Sequence, residues 1–364
     1  MAQHTRQAGD STAGGPATRE ERRRSRPAAV AGLLAALAAT ALWGFTFVGP
    51  VAVAPVNVYY LVMGRYTVFG AVSLAVLAVN AGKTRALGVG NLLNAMHLGA
   101  VGYVGFYLLL ALSAQTGGGV LASTMTGLIP VTVALVSNFF EKALAWHRLA
   151  LPVAVIACGL LLVNGVPTGR AGPGNDVVTG AVLGFASCAA WTYFVIVNRM
   201  VLQRPAFTVD NTVWTAGIGL GAFCGSLLLV PRAASAGGTS PFSDADVFWS
   251  FLAWCVALAA LGSWFATWFW NFASKRLPSA LMGPIVGMEA VFGALSHLAW
   301  EGRPPTLREA GGGLLVTGGV FLCSYVFDRF GGTPPARSSP SAGGRQRSGR
   351  EGSPGRSSGR SDGR

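Results

Sequence analysis

The sequence predicts an all-α integral membrane protein of about ten transmembrane helices, arranged as two inverted five-helix repeats. Three observations support this prediction. Of the 364 residues, 52% are hydrophobic and 11% are charged, whereas about a quarter of the residues in a soluble domain are charged. Apolar stretches long enough to cross a bilayer core of about 30 Å recur along the chain. Residues of the first half also recur at a fixed spacing in the second half.

Each predicted span is a run of about 20 apolar residues that ends at a polar or Gly/Pro-rich break. The first span is too long for the apolar region of a signal peptide, and further apolar runs follow it, so we interpret it as a membrane helix. The predicted spans are 28–49, 57–80, 95–113, 117–139, 149–165, 179–200, 211–231, 248–272, 280–300 and 311–328.

The two ends of the chain differ in composition from the rest. Residues 1–27 and 329–364 are rich in Gly, Ser, Pro and Arg and have few large apolar side chains. Such segments bury too little surface to offset their ordering entropy, so we expect two disordered basic tails. Between them, we predict a first five-helix repeat over 28–165, an outer connecting loop over 166–178 and a second repeat over 179–328.

The distribution of positive charge predicts the orientation. Six arginines precede residue 27 and eight follow from Arg329 onward. With the N-terminus inside, most loop lysines and arginines fall on the same side as the tails, which predicts a multi-pass protein of the plasma (inner) membrane with both termini cytoplasmic. No folded basic domain accompanies the tails, so we do not expect nucleic-acid binding.

The chain repeats itself at a spacing of 160 residues. An odd number of helices in each half would insert the second half from the opposite side of the bilayer, and inverted repeats of this kind can exchange conformations around a central site. At this spacing Val131, Ala134, Leu135, Glu141, Arg148, Gly159 and Leu162 lie on Val291, Ala294, Leu295, Glu301, Arg308, Gly319 and Leu322.

Several short motifs occur in order along both halves. They are Ala41-Leu42-Trp43-Gly44, Gly64-Arg65-Tyr66, Leu128-Ile129-Pro130-Val131, Trp270-Asn271-Phe272-Ala273-Ser274-Lys275-Arg276-Leu277-Pro278 and Met288-Glu289-Ala290-Val291. Together they resemble the EamA-type members of the drug/metabolite transporter superfamily over residues 28–328. One departure is Ala290, where that family usually has proline. The resemblance implies a transporter of amino acids, metabolites, sugars or drugs without naming the substrate.

Glu289 is the main candidate for function. It lies near the middle of the ninth predicted span, where ionisable side chains are costly and commonly functional. We predict that it binds a cationic or amine-bearing substrate or carries a coupling proton. The alternative is a buried, protonated glutamate bonded to a neighbouring helix. The position related by the repeat is Ile129, so the site would be asymmetric.

Arg65, in the second predicted span, has two interpretations. It could bind a substrate carboxylate or pair with Glu289, or it could hold helices together structurally. The resemblance slightly favours the structural role, because the family carries an arginine here in members with many different substrates.

Aromatic and hydroxyl side chains complete the predicted binding site. Tyr103 and Tyr107 map by the repeat onto Ser263 and Thr267, and rings with a few polar groups suit a small organic ligand. The alternatives are interfacial anchoring for the aromatic residues and bonding to the local backbone for the hydroxyls. The remaining predicted substrate-binding or coupling residues are Trp43, Tyr107, Thr126, Trp191, Trp268 and Asn271.

These features predict a secondary transporter that exports a small metabolite, amino acid or drug-like compound across the plasma membrane by alternating access. The chain contains no P-loop, so a proton or substrate gradient would supply the energy. We predict no catalytic residue, metal or cofactor, since the five cysteines are scattered and HExxH and GxSxG motifs are absent. The alternatives are a non-transporting sensor or assembly subunit and, less favoured, a membrane-embedded enzyme. Homodimerisation stays open.

Overall fold

The long apolar runs form α-helices in a computed structural model, which describes residues 19–46, 48–53, 56–117, 125, 127–141, 144–164, 176–204, 207–235, 237 and 239–330. Within these ranges no strand forms, and an isolated parallel bridge pairs Val56 with Thr239. The prediction of an all-helical chain is confirmed. A helix satisfies its own backbone N–H and C=O groups, which a bilayer core requires of any segment that crosses it.

The principal helices are labelled α1 to α10 in chain order. The continuous ones are α1 (Arg19–Phe45), α2 (Val58–Val79), α4 (Ile129–Glu141), α5 (Trp146–Asn164), α6 (Val177–Leu202), α9 (Ser279–Glu301) and α10 (Leu307–Phe330). The composite ones are α3 (Val89–Gly99, π-helical Ala100–Gly105, Phe106–Gly117), α7 (Asn211–Ser226, 3-10 helical Leu227–Leu229, Val230–Ser235) and α8 (Ala245–Ala257, π-helical Leu258–Phe265, Ala266–Ser274). Two short helices, Gly49–Ala52 and Ala81–Leu87, flank α2.

Among the described residues, seven helices are long and apolar enough to cross a membrane. They lie in α1, α2, α3, α6, α7, α8 and α9. Three shorter apolar helices, Ile129–Phe140, Trp146–Leu162 and Ala310–Cys323, lie in α4, α5 and α10, where the sequence predicts further spans. The structure therefore supports a multi-span membrane protein with seven candidate spans, and the number ten stays a prediction.

The first helix begins earlier than expected. α1 starts at Arg19, whereas the predicted disordered tail runs to residue 27, and its apolar part begins at Pro27. Residues 20–26 contain only Glu, Arg and Ser, and Glu and Arg are good helix formers outside the membrane. Residues 1–18 and the predicted tail beyond Phe330 lie outside the described residues.

Short polar side chains fix where several helices begin. Asn57 accepts a hydrogen bond from the backbone N–H of Tyr59 at the start of α2. Asp210 caps α7 through the N–H groups of Thr212 and Val213, and Asp244 caps α8 in the same way. Each of these caps satisfies backbone donors that have no partner within the helix.

Glycines allow α7 to lie directly against α3. A Cβ atom on Gly221 would come within 1.9 Å of the Met96 carbonyl oxygen. A Cβ on Gly99 of α3 would come within 2.0 Å of the Ile218 carbonyl oxygen. No larger side chain fits at these positions. Gly217, Gly221 and Gly225, which recur every fourth residue in α7, therefore form a face that packs on α3.

Candidate functional site

Glu289 lies in the middle of α9 and keeps part of its surface exposed. The neighbouring turn of α9 packs on α1, where a Cβ on Gly44 would lie 2.6 Å from the backbone nitrogen of Gly293. Glu289 interacts electrostatically with Arg65 and with Tyr103. Among the described residues, none forms a hydrogen bond or ion pair with its carboxylate. Among the described residues, the Glu289 carboxylate therefore has no direct partner, and it interacts electrostatically with Arg65, one of the partners considered for it.

Arg65 ties α2 to α8. Its Nε donates to the Ser263 hydroxyl at 2.7 Å, and Nη2 donates to the Gly262 carbonyl oxygen at 3.0 Å. These bonds use two of the five N–H donors of the guanidinium group. The side chain keeps some exposure, and its Cζ lies 5.5 Å from the Tyr66 ring centroid. Arg65 thus connects two helices and also interacts electrostatically with Glu289.

Two π-helical segments place the polar groups of the site. In a π-helix the backbone bonds run from i to i+5, which widens the helix and changes which carbonyls and side chains face a neighbour. Gly262 and Ser263, the two acceptors for Arg65, lie in the π-helical segment of α8. Tyr103 lies in that of α3, and its hydroxyl hydrogen-bonds the Thr267 hydroxyl. A side chain of the first half therefore bonds a side chain of the second half here.

A cluster of aromatic rings lies beside these groups. The Trp43 ring centroid is 5.3 Å from that of Trp191 and 5.1 Å from that of Trp270. Trp191 also lies 5.9 Å from Tyr103 and 5.3 Å from Phe194. Trp43 and Trp191, both predicted for the site, are therefore in ring contact, and both rings are nearly covered.

Two indole N–H groups in this cluster have no partner in the part of the chain that the structure describes. There the Nε1 atoms of Trp43 and Trp270 are buried and make no hydrogen bond. A buried donor without an acceptor is uncommon in folded proteins. The cluster therefore has unused capacity to donate hydrogen bonds to a ligand oxygen or to a rearranged neighbour.

Tyr107 belongs to the same region. It is partly buried and interacts electrostatically with Tyr66, Tyr59 and Arg65. Thr126, the hydroxyl predicted from the fourth span, lies outside the described residues.

Trp268 and Asn271 lie further along α8. Asn271 is nine residues beyond Gly262, about 13 Å along the helix. The Trp268 indole donates to the Thr212 hydroxyl at 3.2 Å and stacks on Phe272. The Asn271 amide is fully buried, accepting from Asn198 at 2.8 Å and donating to Thr215 at 3.0 Å. The structure does not bring these two predicted residues into the group around Glu289.

The structure adds two residues that sequence reasoning did not place at the site. The Trp270 ring contacts that of Trp43, with 5.1 Å between the centroids, and the Phe106 ring centroid lies 5.2 Å from that of Trp191. Trp270 follows Ser263 by seven residues, a spacing that puts both on one helix face, so helical periodicity could have identified it. Phe106 carried no comparable signal, since it lies in a run of apolar residues.

Comparison with known proteins supports the conclusion that the chain is a membrane protein. No protein-family model matches the chain. The chain is 29% identical over 306 residues to the inner membrane protein YtfF of Escherichia coli (strain K12), a match that covers 80% of this chain and 94% of that protein. A solved crystal structure shares the fold, with a TM-score of 0.65 and 19% sequence identity over 82% of this chain and 98% of that chain. The apolar helices and this relative together identify the chain as a membrane protein homologous to an inner membrane protein.

Proposed function

We propose that the protein is a secondary transporter of the EamA-like class, in which Glu289 is the central substrate-binding or coupling group. The observation that carries the proposal is the Glu289 carboxylate, which has no direct partner among the described residues and interacts electrostatically with Arg65 and with Tyr103 of the aromatic cluster. Ionisable side chains inside membrane spans usually mark a substrate or ion pathway. Glu289 of the second half interacts electrostatically with Arg65 and Tyr103 of the first half, as expected for a site between repeats.

Reciprocal contacts between α5 and α10 support the inverted repeat. A Cβ on Gly159 would lie 2.7 Å from the Val316 nitrogen, and a Cβ on Gly319 would lie 2.6 Å from Ile156 Cγ1. Gly319 follows Gly159 by 160 residues, and Val316 follows Ile156 by the same number. Each helix therefore presents the same face to the other, the arrangement that a two-fold pseudosymmetry axis produces.

The π-helical segments support the same relation. Shifted by 160 residues, Ala100–Gly105 falls within Leu258–Phe265. π-helical turns are rare, and they are frequent at functional sites. Their occurrence at two equivalent positions therefore indicates a shared role in the two halves. Both segments contribute side chains to the region around Arg65 and Tyr103.

The site suits a small amphipathic substrate that carries an amine. Glu289 would receive the ammonium group, and the rings around Trp43 and Trp191 would cover an apolar body. The same carboxyl could instead bind and release a coupling proton. The positive-inside rule places both termini in the cytoplasm, and export driven by a proton or substrate gradient fits a chain without a nucleotide-binding motif.

The test is untargeted metabolite profiling of cells and medium, comparing an empty vector, the wild type and Glu289→Gln at equal membrane levels. We expect at least one compound enriched in the medium with the wild type and not with Glu289→Gln, because the amide keeps the shape but loses the charge and the proton. The matched control is Glu301→Gln, at the exposed end of α9 beside Arg303. This control should retain wild-type export.

Each outcome has a defined meaning. Equal export by the wild type and Glu289→Gln would remove Glu289 from the mechanism. No compound dependent on the wild type would favour the non-transporting sensor or assembly subunit. Proton coupling has its own readout, since flux that depends on pH between about 5 and about 9 should lose that dependence in Glu289→Gln.

A further inference from the structure

A network of buried amides joins α6, α7 and α8 at one end of the bundle. The Trp214 indole donates to the Asn198 side-chain oxygen at 2.8 Å, and the Asn198 amide donates to the Asn271 oxygen at 2.8 Å. The Asn271 amide then donates to the Thr215 hydroxyl at 3.0 Å. All four side chains have 0% exposure. We call these four residues the amide network.

Further bonds close the same end of the bundle. The Arg199 Nε, at the end of α6, donates to the Leu277 carbonyl oxygen at 3.0 Å. The Gln203 amide donates to the Ser274 carbonyl oxygen at 2.8 Å. These bonds hold the end of α6 against the connection between α8 and α9. They supply donors to the carbonyl of Ser274, the last residue of α8, and to the carbonyl of Leu277 in that connection.

Charged residues lie at this end as well. The Lys83 ammonium is 2.7 Å from the Asp210 carboxylate, which joins the α2–α3 connection to the start of α7. The hydrogen bond from Lys83 lowers the pKa of Asp210 below its ordinary value. The Lys275 ammonium donates to the Val209 carbonyl oxygen at 3.0 Å, and burial lowers its pKa. We call this the Lys83 end, which the positive-inside prediction places in the cytoplasm.

The first half of the sequence has no counterpart to the amide network. Ala111 occupies the position 160 residues before Asn271. Asn198 follows Trp191 by seven residues, and the residue seven positions after Trp43 is Pro50. If the repeats exchange conformations, closing the opposite end by the equivalent helices cannot form these amide bonds. The two closed states therefore differ in how many polar groups find partners.

We propose that the amide network is a latch that holds the Lys83 end closed and makes this the more populated of the two access states. The proposal rests on the proposed function, because it needs two states. Bonds made in one state and absent in the other shift the population towards the first. Asn198 and Asn271 act as positioning residues in this latch, since they bond one another and not the substrate.

The experiment measures the opening of the Lys83 end directly. Spin labels are placed at Arg85 and Arg204, both exposed at this end, with the exposed Cys158 and Cys224 replaced by serine. The distance distribution between the labels is recorded by electron double resonance on the purified full chain in lipid nanodiscs. The wild type should show one main short distance. Asn271→Ala should raise the fraction at a longer distance by about three- to twentyfold, because bonds between membrane helices are worth about 0.6 to 1.7 kcal/mol each.

Asn138→Ala is the matched control. Asn138 has 1% exposure and bonds the backbone N–H and carbonyl of Leu144, within the single connection between α4 and α5. It loses comparable buried bonds without joining the three latch helices, so it should keep the short distance. Thr215→Val is a milder variant that removes one acceptor at nearly constant volume, and it should give a smaller rise than Asn271→Ala.

Two results would overturn the latch. One is a single short distance in both Asn271→Ala and Thr215→Val, and the other is an equal long-distance population in Asn138→Ala. The measurement needs no substrate, so its result is independent of the export assay. A latch that opens as expected in a chain that exports nothing would leave the conformational inference standing and would contradict the transport proposal.

Discussion

Polar side chains at the Glu289 site and in the amide network differ in whether they have hydrogen-bond partners. In the amide network the side-chain nitrogen and oxygen of Asn198 and of Asn271 all have partners. At the site the Glu289 carboxylate and the Trp43 indole N–H have none among the described residues. Satisfied polar groups specify one arrangement of helices, whereas unsatisfied groups have interactions left to offer a ligand. Polar residues of the helical bundle can thus differ in whether they hold helices together or keep groups available for a ligand.

The same substitution should therefore change stability in opposite directions in the two regions. Asn271→Leu leaves the partner groups on Asn198 and Thr215 without bonds and should lower the free energy of unfolding by about 2–4 kcal/mol. Glu289→Leu removes a costly carboxyl and should raise it by about 1–2 kcal/mol while abolishing function. Unfolding in mixed micelles, followed by tryptophan fluorescence, measures both. A loss of similar size in both variants would mean that Glu289 is also structural.

The sequence allowed some of this contrast to be predicted. The apolar runs located the helices, because length and hydropathy are local properties. The 160-residue repeat relates Tyr103 to Ser263 and Tyr107 to Thr267, but it did not predict the hydrogen bond that joins Tyr103 to Thr267. The role of Asn271 could not be predicted, because its partners come from α6 and α7, which are distant in sequence. Whether a buried polar group is satisfied depends on packing between helices, which single-sequence patterns do not encode.

Arg65 shows the same limit. Its position in a membrane span signalled importance, but the choice between substrate binding and structure depended on where α8 presents Gly262 and Ser263. These two residues lie in a π-helical segment, and the apolar sequence of that segment did not predict a π-helix. Thr126, which the sequence predicts as a binding or coupling residue, lies outside the described residues, so its role stays a prediction.

Two tryptophans provide a finer comparison of the regions. Trp43 and Trp214 are both buried, but within the described ranges only the Trp214 indole N–H has an acceptor, the Asn198 oxygen at 2.8 Å. Replacement by phenylalanine removes similar ring area from each. Trp214→Phe should therefore cost about 1 kcal/mol more than Trp43→Phe, because it alone breaks a hydrogen bond.

Unfolding of both variants in the same micelles checks this difference. Trp43→Phe should also weaken ligand binding, because it removes an N–H donor from the site. This effect can be measured once a substrate is known. Equal stability losses would indicate that the Trp43 N–H has found an acceptor under the conditions of the measurement.

The smallest effect is expected for the ion pair at the Lys83 end. The side chains of Lys83 and Asp210 are 59% and 31% exposed, and exposed pairs contribute about 0.2–1 kcal/mol. The hydrogen bond from Lys83 holds the pKa of Asp210 below its ordinary value of 3.8. A carboxylate with a lowered pKa stabilises the fold at neutral pH, and this contribution is lost as the pH falls below that value.

A double-mutant cycle of Lys83→Met and Asp210→Asn isolates this contribution, because asparagine can still cap α7 through its side-chain oxygen. The coupling should be below about 1 kcal/mol and should shrink further in high salt, where exposed charges are screened. The amide network predicts the opposite behaviour, since the bonds between Asn198 and Asn271 carry no net charge and should be insensitive to salt. A salt-dependent population at the long label distance would therefore assign closure of the Lys83 end to the ion pair, whereas a salt-independent one assigns it to the amides.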